Sequence, residues 1–215
     1  MNKLVFFIAI ICGLSILIAS CSKDEDEETQ TAAEKAEAAE TAAIAEETAA
    51  IAAIGLNGTW KGDCDSTSSD NSTYGAQSFV SSGTSFSANW SEYSDSECST
   101  KTSGSIDAFK IDLGEAYTLA DGNTAHKGVG TLVSSLLTYY TSTSVNGANS
   151  ISYCGKEWVI NSAQDIAGLT CGASTQDSAG VKTYFLYYIN GTSLQFGIST
   201  ANNVTSVSSK VYTKQ

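Results

Sequence analysis

The 215-residue chain has no proline and no arginine, and only one histidine and one methionine. All 11 cationic side chains are lysines. Without arginine, no guanidinium can grip a carboxylate or phosphate through two parallel hydrogen bonds. The lysines form no basic patch either, which removes nucleic acid from the partners to consider. The absence of proline leaves the turns to glycine, asparagine, aspartate and serine. The lone His126 rules out a multi-histidine metal centre, and any Ser-His-Asp arrangement would have to use it. It sits in Asp121-Gly122-Asn123-Thr124-Ala125-His126-Lys127, which reads as an exposed turn. No Gly-x-Ser-x-Gly elbow occurs, and Gly128-Val129-Gly130 lacks the third glycine of a dinucleotide loop. The chain reads as neither an enzyme nor a cofactor protein.

The N-terminus carries the strongest signal. Met1-Asn2-Lys3 is a short basic opening, and the run from Leu4 to Ala19 is apolar apart from Gly13 and Ser15. A spanning helix needs about 20 apolar residues. This run is shorter and has the flanks of a secretion signal. It closes on Leu17-Ile18-Ala19-Ser20-Cys21, which resembles the lipobox of bacterial lipoproteins, a branched apolar residue and two small ones before a cysteine. The resemblance implies that residues 1–20 are removed as a signal peptide and that Cys21 takes a diacylglycerol with fatty acids such as palmitate. Two or three acyl chains, at about 0.8 kcal/mol per buried methylene, make the membrane a permanent partner. Ser22 after the cysteine points to the outer membrane, as in enterobacterial lipoproteins. The run Ser22-Lys23-Asp24-Glu25-Asp26-Glu27-Glu28 resembles an acidic export signal to the cell surface, with a solvated tether as the alternative.

Net charge is −12 and unevenly spread. Residues 22–54 hold ten acids against two lysines, whereas residues 55–215 hold thirteen against eight. Half of residues 31–54 are alanine, and Glu-Thr-Ala-Ala-Ile-Ala occurs at 40–45 and again at 47–52. Residues 21–55 therefore read as a lipidated, acidic, Ala/Glu-rich helical tether. Ile44 and Ile51 share a stripe, but two repeats fall short of the three or four heptads of a coiled coil. Gly55 ends the tether and Asn57-Gly58 turns the chain into a domain covering 56–215.

Of six cysteines, Cys12 leaves with the signal and Cys21 is acylated, so Cys64, Cys98, Cys154 and Cys171 remain. An even number in an exported domain implies two disulfides. Four cysteines allow three connectivities, of which Cys64–Cys98 with Cys154–Cys171 is the expected one. A four-cysteine zinc site would want paired C-x-x-C spacing, which is missing. Two acidic clusters, Asp63/Asp65/Asp70 and Glu92/Asp95/Glu97, read as solvated acids. Weak calcium binding is the alternative if a Cys64–Cys98 bond brings them together. No metal is assigned.

From residue 56 onward the texture is Ser/Thr/Gly/Asn-rich with short apolar alternations, the pattern of an all-β sandwich or barrel. Phe86-x-Ala88-x-Trp90 and Phe109-x-Ile111-x-Leu113 each line one face. Val129–Tyr140 reads as strand in preference to helix, from its Val, Thr and Tyr content. Val181–Ile189 leads through Asn190-Gly191, read as a type I′ turn, into Leu194-x-Phe196-x-Ile198. A last strand is expected over Ser206–Thr213, giving about eight in all. Tyr139, Tyr140, Tyr184, Tyr187 and Tyr188 crowd two strands, as a core with hydroxyls at its rim or as a ligand or glycan surface.

Gly58-Thr59-Trp60 resembles the Gly-x-Trp that opens lipocalin-like barrels, where the Trp packs across one end. Trp60-Lys61-Gly62-Asp63-Cys64 and Tyr93-Ser94-Asp95-Ser96-Glu97-Cys98 together resemble the extracellular domain of the adenomatosis-polyposis-coli-down-regulated family. The resemblance is best over 57–113 and weak beyond, through Cys154-Gly155-x-x-Trp158 and the final hairpin. The Arg-rich surface of that family has no counterpart here. The resemblance implies a lipocalin-like antiparallel barrel, with an open sandwich as the alternative, and a small apolar or lipid ligand in the barrel mouth. The residues expected to face inward are Trp60, Phe86, Trp90, Phe109, Ile111, Leu194 and Phe196. The rival reading is a structural or adhesive envelope protein with a filled barrel and a glycan or envelope-protein partner.

Overall fold

The computed structural model describes residues 55–215, and before them Ala39 alone. The signal at 1–20, the lipidated Cys21 and, apart from Ala39, the tether up to residue 54 lie outside the described residues. Within residues 55–215 the chain is built from strands: β1 Gly58–Lys61, β2 Asp65–Ser66, β3 Tyr74–Ser82, β4 Ser85–Tyr93, β5 Lys101–Thr118, β6 Thr124–Tyr139, β7 Gln164–Asp165, β8 Thr170–Cys171, β9 Ser174–Thr175, β10 Lys182–Asn190, β11 Ser193–Ser199 and β12 Tyr212–Lys214. One α-helix, α1 (Ser142–Ser150), follows β6, with a single 3-10 turn at Tyr153–Gly155 after it.

Eight of these strands close into the expected antiparallel barrel. Around the ring they run β1, β3, β4, β5, β6, β10, β11 and β12, and β12 pairs back onto β1. Closure removes the sheet edges that would otherwise template aggregation. The order is up-and-down, so the connections alternate between two poles. At one pole they are tight: residues 83–84, 119–123 and 191–192. At the other they are long: residues 62–73, 94–100, 140–181 and 200–211.

The β5–β6 hairpin outgrows the ring. Opposite Ala108 and Phe109, the partner on β6 jumps from Ser134 to Leu132, leaving Val133 as an extra residue in a β-bulge. Val133 is 58% exposed. The bulge flips the alternation along β6, so Gly128, Gly130 and Leu132 share the inner face with Ser135 and Leu137. Only the lower part of β6 pairs with β10, while Leu136 and Leu137 pair with β7 of the long 140–181 connection.

That connection has its own core, which the sequence reading did not foresee. Val145, Ala148, Cys154, Trp158, Ile166 and Cys171 pack together against Leu137 and Tyr139. Helix α1 starts where the Thr141 hydroxyl accepts from the Ser144 amide at 3.1 Å. Trp158 is fixed from three sides. Its ring nitrogen donates to the Tyr153 carbonyl at 2.9 Å, its amide donates to Asn149 Oδ1 at 2.7 Å, and its ring meets Tyr139 edge-on at 4.9 Å. Burial, with Tyr153 and Glu92 alongside, pushes the Tyr139 phenol up to about 12.

Two local expectations are corrected. The β10–β11 turn is one residue later than Asn190-Gly191: Asn190 pairs with Ser193, leaving Gly191-Thr192 as the central residues. Gly191 has φ of 60°, and glycine at the first central position is the type II′ pattern rather than I′. The last strand is only Tyr212–Lys214. Residues 200–211 instead lie irregularly along β11, with the Ser208 backbone amide donating to the Phe196 carbonyl at 2.8 Å and the Gln195 side-chain Nε2 donating to the Ser208 carbonyl at 2.9 Å. Val204 and Val207 cover Leu186 on the outside of the barrel.

Candidate functional site

The tight pole of the barrel is filled. Trp60, Leu56, Leu194 and Tyr187 are fully buried there. The Trp60 ring nitrogen donates to the Leu56 carbonyl at 2.8 Å, and the Lys214 ammonium stands 5.1 Å from the ring. The Tyr187 hydroxyl is buried without a hydrogen-bond partner among the described residues, and burial raises its pKa. His126 belongs here too, which corrects the turn assignment. It lies on β6, partly buried, directly opposite Tyr187, with the two rings stacked at 5.5 Å. The turn itself ends earlier, where the Leu119 amide donates to the Asn123 carbonyl.

Above this floor the barrel is hollow. A cavity of about 210 Å³ is lined by Phe79 of β3, Phe86 and Ala88 of β4, Phe109 and Ile111 of β5, Phe185 of β10, and Phe196 and Ile198 of β11. Phe86 is the hub of the aromatic lining. It stacks on Phe79 at 5.5 Å and Phe185 at 6.3 Å, and meets Phe196 edge-on at 5.6 Å. Such pairs add about 0.5–1.5 kcal/mol each beyond area burial. Three polar side chains complete the lining: Gln77, Asp107 and Thr183. The cavity is not sealed, since Ile198 in its wall is 63% exposed.

Space for these rings comes from β6. A Cβ on Gly128 would fall 2.3 Å from the Phe185 ring, its directly paired neighbour on β10. Gly128→Ala is therefore expected to displace Phe185 and destabilise the domain by about 1–3 kcal/mol, the usual cost of overpacking. A denaturant melt indistinguishable from wild type would show that the ring moves freely.

Of the seven residues expected inward, Phe86, Phe109, Ile111 and Phe196 line the cavity, and Trp60 and Leu194 lie beneath it. Trp90 has inward parity but stays outside this core. Its ring lies across Gly75, where a Cβ would sit 2.3 Å away. Phe79, Phe185 and Asp107 escaped notice as site residues. Their signal was parity: Asp107 is two residues before Phe109 in the alternation that continues to Ile111. The tyrosines do not form one surface. Tyr187 is core, Tyr139 packs on Trp158, and Tyr188 borders the outer cluster around Leu186.

The long loops at the open pole are pinned by covalent and polar ties. Both expected disulfides, Cys64–Cys98 and Cys154–Cys171, are present. The first joins the 62–73 and 94–100 loops. Lys210 pairs with Asp65 at 2.9 Å, tying residues 200–211 to β2. Four of the six clustered acids are tied in the same way, Asp65 by Lys210 and three by hydroxyls and backbone amides. Asp70 accepts from the Ser72 amide and hydroxyl, Asp95 from the Ser99 and Thr100 amides, and Glu92 from the Ser103 hydroxyl. Among the described residues no three His, Cys, Asp or Glu side chains group closely enough to hold a metal ion.

Hydrogen bonds from Ser68 and Ser72 lower Asp70, and those from Ser99 and Thr100 lower Asp95, each from the ordinary 3.8 to about 2. A carboxylate whose folded pKa is depressed stabilises the fold above its unfolded value and loses that effect as pH falls through the folded one. Both turns are thus expected to loosen between about pH 4 and pH 2, seen as falling protection of the Ser72 and Ser99 amides relative to their intrinsic exchange at each pH. Unchanged protection at pH 2 would contradict the assignment. No protein-family model matches the chain, and no curated protein matches it.

Proposed function

We propose that the chain is a lipid-anchored envelope protein whose β-barrel binds a small apolar ligand in the cavity above its filled floor. The observation that carries the reading is the phenylalanine-lined void of about 210 Å³. Cores pack as densely as organic crystals, with few voids larger than a water molecule. A void of this size, with one wall open, has the character of a binding site. An apolar cavity of about 150 Å³ already holds benzene, and pockets for drug-sized ligands begin near 300 Å³. The ligand enclosed is therefore a single ring or a short chain, smaller than a complete lipid. Anchoring at Cys21 rests on the signal and its lipobox-like end. An outer-membrane location rests on Ser22.

The filled half of the barrel favours a second reading, a structural or adhesive envelope protein whose outer faces contact glycans or other proteins. Native mass spectrometry of the mature chain, exported and never refolded, separates the two. A small apolar compound carried by the protein, or taken up from added alkylbenzenes, supports the binding reading. A chain that stays bare under both conditions sinks it and leaves the adhesive one. For the anchor, Cys21→Ala is expected to move the protein from the membrane fraction to the soluble one. Retention in the membrane would refute lipidation there.

A further inference from the structure

The cavity contains one charged side chain, Asp107, and no lysine lines it. Asp107 faces inward because it pairs with Ala88 on one side and Ser135 on the other, and both neighbours belong to the inner face. Its Oδ1 is fixed, accepting from the buried Ser135 hydroxyl at 2.6 Å. Its Oδ2 has no partner among the described residues. Gln77 is uncharged, and its Oε1 already receives the Tyr212 hydroxyl at 2.5 Å, leaving it a second lone pair but no charge to answer a cation. Among the described residues the one ion pair is Lys210–Asp65, so no protein cation answers Asp107.

A carboxylate at the edge of apolar rings, with one oxygen unpartnered, forms its strongest hydrogen bond with a cationic donor. The rings themselves favour the same charge, since an ammonium within about 6 Å of an aromatic centroid is drawn to the ring face. The domain adds a general bias, with thirteen acids against eight lysines over residues 55–215. From this juxtaposition we propose that the cavity selects a small organic ammonium, its ring or chain held among Phe79, Phe86, Phe109, Phe185 and Phe196 and its N–H donating to Asp107 Oδ2. The inference rests on the cavity being a binding site and names the chemical class of what enters it. Neutral compounds of the same shape gain the apolar part and at most a hydrogen bond without a cation's charge. Anions meet the carboxylate and are rejected.

The test uses calorimetric titration of the mature, disulfide-bonded chain with three probes of one shape: phenethylammonium, phenethyl alcohol and phenylacetate. The ammonium is expected to bind at least about tenfold tighter than the alcohol, the gain of a charged hydrogen bond, with phenylacetate weakest. Asp107→Asn, which keeps shape and can still accept from Ser135, is expected to bring ammonium and alcohol level. Equal binding of ammonium and alcohol by the wild type overturns cation selection and leaves the cavity reading standing. A preference that survives Asp107→Asn places the cation on another acid and overturns the proposal. Failure of all three probes to bind removes both this proposal and the binding reading. The wild-type comparison decides the matter even if the variant does not fold.

Discussion

Trp60→Ala is expected to destabilise the domain by about 3–5 kcal/mol, read as a lower denaturant midpoint. The side chain is fully buried, so its removal both forfeits its transfer energy and opens a void in the floor. It also orphans the Leu56 carbonyl, which accepts from the indole at 2.8 Å. The loss is large against the 5–15 kcal/mol that separates typical folded domains from their unfolded chains. Trp60→Phe divides the effect. It keeps a ring but removes the donor, and a buried acceptor left without a partner costs about 1–3 kcal/mol. Lys214→Ala removes only the ammonium above the ring and is expected to cost well under 1 kcal/mol. If Trp60→Ala shifted the midpoint no more than Lys214→Ala, the floor would not be a rigid part of the barrel.

Replacing Cys64 and Cys98 together by serine is expected to cost about 3–4 kcal/mol. The bond spans 34 residues, and the chain-entropy model assigns that much to the closed loop. The span includes all of β3 and β4, so the loss is expected in the global unfolding transition. Cys154–Cys171 spans 17 residues, worth about 3 kcal/mol on the same model, but it lies wholly within the 140–181 connection. Its removal is expected to raise amide exchange around α1 and Trp158 first and leave β3 and β4 protected. Equal deprotection of both regions in both variants would mean that the connection and the barrel unfold as one unit.

The strands were legible because they alternate where one face is buried, whereas the barrel, as against a sandwich, came from the resemblance at Gly58-Thr59-Trp60. Phe86-x-Ala88 and Phe109-x-Ile111 sit as their period demands, and Leu194, Phe196 and Ile198 face one way. Four cavity-lining residues were readable from that period alone. Where the sequence misled, a local irregularity was responsible. The bulge at Val133 breaks the period of β6, so no single alternation links Gly130 to Ser135. His126 followed so closely on a glycine-containing turn that it read as part of it, although the turn closes at Asn123. Asn190-Gly191 looked like the two central residues of a hairpin, and only the pairing of Asn190 with Ser193 shows the one-residue offset. Trp90 kept its parity but found space over Gly75, a contact 15 residues away that no local pattern carries. The second core was hidden for a similar reason. Trp158, Cys154 and Cys171 were visible individually, but their packing against Tyr139 is a tertiary fact.

The inequality between the two poles gives the domain a direction. Gly58 opens β1 at the tight pole, and there the Gln215 amide donates to the Thr59 carbonyl at 2.9 Å, so the chain enters and leaves side by side. The barrel therefore resembles a cup with its stem and seam at the base. A pull applied at Gly55 would act on the base, and no strand at the rim would have to let go. Changes in the length of the rim loops would leave this joint of first and last strands untouched. The same arrangement makes the C-terminus a natural place to fuse a reporter, because an appendage after Gln215 starts its path on the side away from Ile198 and the opening.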